Sequence, residues 1–588
     1  MKTLEKNFIY NILYQLLVII LPLITAPYIA RTLGAESVGI YSYTYSVAQY
    51  FLLFAMLGIS NHGNRCIASV KNDKDKLACT FWSIYLIQFC TYTISTILYW
   101  GYLLFFHVDN VLIAGIQFLY VLSGAFDISW YYFGTEQFKI TVTRNTIIKV
   151  VTVILMFVFV HSPDDLWIYT LIMASGTFIS QIYLWKYIPK QMKLRHVSFT
   201  EIKVHIKPII VLFIPVIAYS IYKLMDKIML GNMTSYSQVG YYENAGKIIN
   251  IPMGVITALG TVMLPRMSSI VSNGENEKAR NYIRLSIKLV TIIGSAIAFG
   301  LIGISAILVP IYFGIEYLPC VSLIKLLSIT VFFISWANVV RTQYLIPLRF
   351  DKIYVLSMIL GALVNFAINY TLIPRFQGIG AAVGTIAAEF TVMITQMILI
   401  RNELPIFRYC SQTMPYLFIG FLMQVAVRFY GKLCGESVTT LIVQIILGVL
   451  VYIIGCVLYF FISKDEIGRL IVVVQHASRF LWTGGSKTEI FLCFSGFTQL
   501  FVCKSHIIMC FVVRYVWQFS FAQIVRIGQR GFQKFQSLLW LFFVQFLHRQ
   551  MDQRVFVLAA YFSFAAFPRV ELAGGKSGQG FLIASHIV

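Results

Sequence analysis

The sequence predicts an all-α integral membrane protein. Only 12% of its 588 residues are charged and its mean hydropathy is +0.78, whereas soluble domains carry about 25% charged residues. Apolar runs long enough to cross a bilayer as a helix recur along the chain. A soluble core needs a polar coat that this composition does not supply, so we expect a multi-pass protein with about 14 transmembrane helices.

Apolar windows place the predicted spans one after another along the chain. The first follows MKTLEKN and is too long for the hydrophobic region of a signal peptide, so we expect it to be retained. The predicted spans are 8–30, 38–60, 79–105, 111–131, 141–160, 166–186, 208–230, 239–264, 286–309, 319–339, 353–373, 379–400, 413–427 and 438–462.

Loop charges give the predicted topology, because Lys and Arg concentrate in cytoplasmic loops. The alternate loops at 107–110, 161–165, 231–238 and 310–318 contain no Lys or Arg, and the loops between them are basic. The later predicted outside loops follow the rule less well, because they contain basic residues at positions 375, 428 and 432. We predict a cell-membrane protein with a cytoplasmic N-terminus and a cytoplasmic end to span 14.

An internal repeat predicts the domain organisation. Leu-Gly, a short polar insert and Val-Gly-x-Tyr occur after the first span at 33–41 and again after the seventh at 230–242. A spacing of six spans gives both copies the same orientation, which favours duplication. We predict a six-helix lobe, a basic cytoplasmic linker, a second six-helix lobe, two additional helices and an atypical tail, at 1–190, 191–206, 207–400, 401–463 and 464–588 respectively.

Ionisable side chains inside the spans are the candidate functional residues. A charge at the bilayer centre costs about 2.5–3.5 kcal/mol on insertion scales, so such residues face a wet cavity or a partner. Lys223 and Lys227 are four residues apart and Asp226 is three from Lys223, which predicts one partly neutralised cluster.

These charges predict a polar, net-cationic cavity between the two lobes. Such a cavity suits an anionic cargo, because an ammonium group is a strong partner for phosphate. The predicted cavity residues are Arg31, Lys149, Lys223, Asp226, Lys227, Lys247 and Lys325, and the candidates for coupling or gating are Asp127, Glu243 and Glu389.

The sequence offers little for other classes of function. Its ten cysteines stand singly and form neither a C-x-x-C pair nor a Cys/His cluster, so we expect no metal site and no disulfide framework. No H-E-x-x-H or G-x-S-x-G motif occurs, and the P-loop-like GGKSGQG has Val570 where the first glycine belongs. We therefore expect no catalytic residues, no cofactor and no ATPase, and the net charge of +22 indicates topology rather than nucleic-acid binding.

Five stretches together resemble a known family. The chain is similar to the bacterial polysaccharide-biosynthesis flippases, the Wzx-like translocases of O-antigen and capsule repeat units, within the superfamily that includes multidrug and toxic-compound extrusion (MATE) transporters and lipid II flippases. The resemblance covers about residues 1–463. It rests on APYIARTLGAESVGIYSY, FDISWYYFGTEQFKITVTRN, MDKIMLGNMTSYSQVGYYENAGKI, VMLPRMSSI and GIGAAVGTIAAE.

The resemblance implies twelve core helices in two lobes that form a V around a central cavity with alternating access. It implies an undecaprenyl-pyrophosphate-linked oligosaccharide as cargo, flipped from the cytoplasmic to the outer leaflet. Asp226 matches the family's acidic position after the seventh apolar run, and Trp130 and Glu136 match its aromatic-acidic stretch. We interpret Glu136 as structural. Expected partners are the bilayer, H⁺ or Na⁺ as coupling ion, and a polysaccharide polymerase.

Three alternatives stay open at this point. A cation-coupled drug exporter would need a smaller and less basic cavity, and a lipid II flippase differs only in cargo. A membrane glycan polymerase or ligase usually carries its catalytic residues on sizeable outside loops, whereas the outside loops here are short. We therefore favour a transporter over an enzyme.

The tail does not continue the earlier composition. After residue 463 asparagine is absent and tyrosine remains only as Tyr515 and Tyr561, while arginine overtakes lysine. The alternatives are an appended membrane-associated domain, extra spans, or a shifted reading frame. We favour a frame change between Ile467 and Thr488, and we expect no functional residue beyond it.

Overall fold

The computed structural model describes residues 2–106, 108–189 and 197–463, and every regular element in those ranges is helical. The helices of the first half of the chain are α1 Lys2–Met56, α2 Ile59–Val70, α3 Lys74–Phe105, α4 Val111–Ser123, α5 Ser129–Gly134, α6 Phe138–Phe159 and α7 Leu166–Trp185. The atypical tail, 464–588, lies outside the described residues, and so does much of the predicted basic linker.

The second half repeats the pattern of long helices and adds a helix pair. Its helices are α8 Phe199–Met233, α9 Tyr236–Ser272, α10 Asn276–Tyr312, α11 Pro319–Leu327, α12 Thr330–Val340, α13 Asp351–Phe376 and α14 Gly378–Ile400. A short α15, Ile406–Ser411, leads to α16 Met414–Cys434 and α17 Val438–Ser463. Both of these last long helices pack against α10.

The membrane class that the sequence predicts is confirmed. Within the described part of the chain, 11 helical segments are long and apolar enough to cross a membrane. The remaining three predicted spans, 8–30, 38–60 and 208–230, fall in α1 and α8. Several spans are interrupted: α4 passes through a 3₁₀ turn before α5, and α11 and α12 share one span.

A single glycine creates the corner between the first two spans. α1 holds both of them, and its backbone leaves the helical region at Gly34, where φ is 75° and ψ is 172°. A positive φ costs glycine nothing, because it has no Cβ to clash with the neighbouring carbonyl. The tight corner after the first span therefore depends on glycine at position 34.

Two further glycines of the repeat lie where α1 crosses α9. A Cβ atom on Gly39 would lie 1.7 Å from the carbonyl oxygen of Tyr236, and one on Gly240 would lie 2.0 Å from that of Ala35. The contacts are reciprocal. Gly240 and Tyr236 occupy the same positions in the second copy of the repeat as Gly39 and Ala35 do in the first, since 240 − 39 and 236 − 35 are both 201. The two copies of the repeat thus meet back to back around a local two-fold axis, and only glycine permits this approach.

Side-chain caps fix where two of these helices begin. Ser198 caps α8 in a capping box with Glu201. Asp73 caps α3, and the backbone N–H of Lys76, which donates to its carboxylate, holds the pKa of that carboxyl below its usual range.

Candidate functional site

The described part of the molecule contains a polar cavity of about 620 Å³. Its wall is formed by the second arm of α1, which is the part after Gly34, and by α8 and α9. The span that contains α11 and α12 also lines it, and α14 forms one side. It extends from Gln49 of α1 to Asn61 in the first turn of α2. Its ionisable lining residues are Lys223, Asp226, Lys227, Glu243, Lys247 and Glu389.

Glu243 is shared by two lysines. Its carboxylate lies 2.6 Å from the Lys227 ammonium and 3.7 Å from that of Lys247, which is one turn away on the same helix. Ser42 of α1 donates a 3.1 Å hydrogen bond to the same carboxylate. Since Ser42 and Glu243 are equivalent positions of the repeat, this contact joins the two halves of the chain on the local axis.

A looser ion pair lies on the α14 side of the cavity. The Lys223 ammonium is 3.9 Å from the Glu389 carboxylate, and the lysine side chain is 37% exposed whereas the glutamate is 5% exposed. The lysine is therefore the accessible member of the pair, and a solute in the cavity meets the ammonium before the carboxylate.

Asp226 does not join the predicted lysine cluster. Its carboxylate points between α9, α13 and α14, where neutral donors satisfy both oxygens. A buried carboxylate is stabilised most when several hydrogen bonds replace its lost hydration, and that arrangement wins here over pairing with Lys223 or Lys227. The donors are the Tyr242 and Thr385 hydroxyls, each 2.6 Å from Oδ2, and the Asn365 and Asn369 amides, 3.0 and 2.6 Å from Oδ1.

The structure also corrects the prediction that the cavity is net-cationic. Three lysines and three carboxylates line it, so its formal charge is balanced when all six groups are ionised. The repulsion that three clustered ammonium groups would generate is the physical reason for the interleaved acids. All three lysines nevertheless line the cavity, where a solute can reach them. Glu243 and Glu389 are the acidic partners of the three ammonium groups.

Four of the predicted site residues lie away from this cavity. Arg31, at the exposed end of the first arm of α1, donates to the Ile311 carbonyl. Asp127 accepts from the Ser129 backbone N–H at 2.9 Å and from the Ser129 hydroxyl, so it stabilises the turn that leads into α5. Lys149 on α6 and Lys325 on α11 do not line the cavity. Spacing along the chain identifies intramembrane charges, but not the side of the helix that faces the cavity.

The two positions implied by the resemblance outside the cavity are structural. The Trp130 indole is buried and donates to Gln88 at 3.0 Å. Glu136 forms an exposed ion pair of 2.9 Å with Lys71. Both contacts fix the α4–α5 break against its neighbours.

Sequence reasoning missed the donors around Asp226. Asn365 and Asn369 are four residues apart on α13 and therefore share a helix face. Two asparagines in an otherwise apolar span are a signal that could have identified them, because unsatisfied amides are costly in a bilayer. Thr385 and Tyr242 gave no comparable signal, since hydroxyl groups are common in membrane helices.

A Cys/His cluster is present, contrary to the sequence expectation. His62 and Cys66 are one turn apart on α2, and His205 of α8 meets them, with all three donor atoms within 4.8 Å of one another. The pattern His-x-x-x-Cys was visible in the sequence, but its partner lies 139 positions further on from Cys66 (205 − 66). Burial lowers the pKa of His62 to about 4 and also lowers that of His205, so both imidazoles are neutral near pH 7.

The fold and the cavity are those of a multi-pass membrane protein with ionisable side chains around an internal cavity. Comparison with known proteins agrees: the family described as "Polysaccharide biosynthesis protein" matches residues 4–271. The chain is 26% identical over 406 residues to a protein of Escherichia coli (strain K12) named "Putative O-antigen transporter", covering 68% of this chain and 97% of that protein. A Shigella dysenteriae protein of the same name is 23% identical over 395 residues, covering 66% and 98%.

Solved structures support the fold. The lipid II flippase MurJ in an inward closed conformation superposes with a TM-score of 0.54 at 14% identity, covering 78% of this chain and all of that one. A multidrug resistance MATE-family transporter in an inward-facing conformation, described as a member of the MOP superfamily, gives a TM-score of 0.50 at 13% identity, covering 64% of this chain and 94% of that one. The family match and the two relatives thus bear out the resemblance to polysaccharide-biosynthesis proteins, and the two solved structures show the same fold.

Proposed function

We propose that this protein flips undecaprenyl-pyrophosphate-linked oligosaccharide repeat units from the cytoplasmic to the outer leaflet by alternating access. One observation carries the proposal: Lys223, Lys227 and Lys247 stand on the wall of one intramembrane cavity, each paired with an acid that a cargo could replace. The O-antigen transporter names of the relatives indicate the same cargo class.

The lysines lower the cost of moving a pyrophosphate through the membrane. A phosphate group that leaves water loses hydration worth far more than any single contact, so it needs charged partners throughout its path. Its oxygens take the place of the Glu389 and Glu243 carboxylates beside the ammonium groups. Lys223 is the entry contact, because it is the most exposed of the three and its ion pair is the longest.

The rest of the cargo has separate places. The oligosaccharide occupies the wet cavity, and the prenyl chain stays in the lipid outside the helices, since transferring its CH₂ groups into water costs about 0.8 kcal/mol each. The Ser42–Glu243 contact is the gate between the halves, because cargo that takes Lys227 from Glu243 also disturbs the bond to α1. We infer that a polymerase takes the repeat unit on the outer side.

Matched lysine variants test the cargo assignment. The Lys223→Gln/Lys227→Gln double variant removes two charge-assisted contacts of about 1.5–3 kcal/mol each, so we expect surface polysaccharide to fall at least tenfold. Lys149→Gln/Lys325→Gln removes the same charges from intramembrane positions outside the cavity and should leave it near wild type. Equal output from both well-expressed variants would contradict the assignment, and export of small cations instead would favour a drug exporter.

Asp226 and the four side chains that donate to it support a second part of the proposal, the coupling ion. The carboxylate, two amides and two hydroxyls converge in a buried site, and this all-oxygen set suits a hard cation once the amides turn their oxygens inwards. Asn369 Oδ1 is buried and has no hydrogen-bond partner among the described residues. We propose that Na⁺ or H⁺ binds here.

Ion binding at Asp226 would change the charge that the cargo meets. Neutralising this carboxylate shifts the six lining groups from balanced to net positive, so ion and pyrophosphate bind cooperatively. In proteoliposomes, imposed Na⁺ and H⁺ gradients should distinguish the ions, and Asp226→Asn should abolish the dependence. Asp127→Asn is the control, because Asp127 does not line the cavity and bonds only locally to Ser129. Persistent gradient dependence in Asp226→Asn would refute the assignment.

A further inference from the structure

A second cluster of ligand-type side chains lies outside the transport cavity. His62 Nε2 is 2.8 Å from His205 Nδ1 and 3.4 Å from the Cys66 sulfur. One nitrogen atom of His62 therefore faces both other donor atoms. His62 is buried, while Cys66 and His205 are half-buried.

The backbone around the cluster is held by close packing. A Cβ on Gly58 would lie 2.2 Å from the Ile209 carbonyl oxygen, so α8 approaches the start of α2 directly. One turn further along each helix, in opposite directions, His62 meets His205. On the other side of α2, a Cβ on Gly63 would lie 2.7 Å from the Trp130 ring. Both helices are thus placed before any ligand binds, as a preformed site requires.

The donor set has a clear chemical preference. Two neutral imidazoles and a thiol that ionises on binding are the ligands of Zn²⁺, at about 2.0–2.1 Å for nitrogen and about 2.3 Å for sulfur. Tetrahedral geometry then separates two nitrogens by roughly 3.3 Å and nitrogen from sulfur by roughly 3.6 Å. The distance from the Cys66 sulfur to His62 is near this value, and the histidine pair must open by roughly half an ångström. The Cys66 sulfur and the His205 nitrogen lie within 4.8 Å of each other, so this pair must close by up to about 1 Å when a metal binds.

We propose that His62, Cys66 and His205 bind one Zn²⁺ ion, with water as the fourth ligand, and that the ion ties α2 to α8. The thiol proton is released to solvent when the Zn–S bond forms. Glu201, one turn before His205, is already engaged by Cys79 at 3.0 Å and by the Ser198 cap.

The position of the site gives it a consequence for movement. α2 belongs to the first half of the chain and α8 opens the second, so a bound ion joins segments that alternating access would displace. This consequence rests on the proposed function, whereas metal binding does not. We expect Zn²⁺ to slow flipping by the wild type and to have little effect on a variant that lacks Cys66.

Co²⁺ is the probe for binding, because a thiolate ligand gives it a charge-transfer absorption band that nitrogen and oxygen ligands do not. Tag-free, full-length protein in detergent should bind one Co²⁺ with this band, and Zn²⁺ should displace it. Loss of an outer-shell partner already weakens metal sites 10–100-fold, so Cys66→Ser and His205→Gln should weaken binding by about 100-fold or more. Cys79→Ser, a neighbouring thiol with its own partner, should leave the band unchanged.

Two results would overturn the proposal. If the wild type shows no thiolate band at micromolar Co²⁺, the cluster is only a histidine–histidine hydrogen bond. If Cys79→Ser loses the band as fully as Cys66→Ser, the ion binds elsewhere. His205→Gln changes a half-buried residue of α8 and leaves α2 intact. It therefore tests metal binding even if a substitution on the buried face of α2 impairs folding. A wild type that binds Zn²⁺ but does not flip cargo would sink the proposed function alone.

Discussion

At the scale of single residues, the lysines of the cavity are paired with glutamates, so the cavity does not carry charges of one sign only. Glu243 and Glu389 lie within ion-pair distance of the three lysines, and this pairing offsets part of the cost of placing an ammonium group in a low-dielectric setting. Glu243 has the largest part in this, because it contacts Lys227, Lys247 and Ser42 at once.

Glu243→Gln should therefore destabilise the protein. It leaves two neighbouring ammonium groups without their shared acid. The pair is half-buried, so the expected cost lies between the about 0–1 kcal/mol of an exposed pair and the about 3–5 kcal/mol of breaking a fully buried pair from one side. We expect a lower midpoint in thermal unfolding of the detergent-solubilised protein.

Glu136→Gln is the matched control, because its pair with Lys71 is exposed and such pairs contribute about 0–1 kcal/mol. Equal midpoints for the two variants would show that Glu243 does not hold the lysines.

The residue types could be predicted from the sequence, but their partners could not. Charges inside apolar spans identified six groups that line the cavity, because intramembrane charge is rare and costly. Asp226 was assigned to the wrong neighbours, since spacing on one helix says nothing about Asn365 and Asn369 on another. The same limit hid His205 from His62 and Cys66.

At the scale of elements, the crossing of α1 and α9 organises the molecule. Reciprocal glycine contacts bring the two copies of the repeat to backbone distance, and the Ser42–Glu243 hydrogen bond lies one turn further along. The sequence predicted the repeat and the spans, because hydropathy and motif spacing are local signals. It did not predict the α4–α5 and α11–α12 breaks, which depend on packing against other helices.

Gly240→Ala should disturb this crossing. The added methyl group would lie 2.0 Å from the Ala35 carbonyl oxygen, which is backbone and cannot rotate away. Overpacking of this kind costs about 1–3 kcal/mol, so we expect a lower unfolding midpoint and weaker transport.

Gly246→Ala on the same helix provides the comparison, because a Cβ there meets no atom within 4 Å. If both alanine variants unfold alike, close approach is not what position 240 requires.

At the scale of the whole molecule, an all-α membrane fold, an intramembrane cavity with paired lysines, and relatives named as transporters agree. Orientation in the membrane rests on the loop charges, and the domain boundaries rest on the repeat. The tail from 464 onwards lies outside the described residues, and on our account transport does not need it.

Leaflet-resolved accumulation of the lipid-linked oligosaccharide in cells that lack this gene tests the central claim most directly. We predict that the undecaprenyl-pyrophosphate oligosaccharide collects in the cytoplasmic leaflet, and that both the full chain and a chain truncated after Ser463 clear it. Oligosaccharide that reaches the outer leaflet without the gene, and stays there unpolymerised, would contradict a flippase and favour a polymerase.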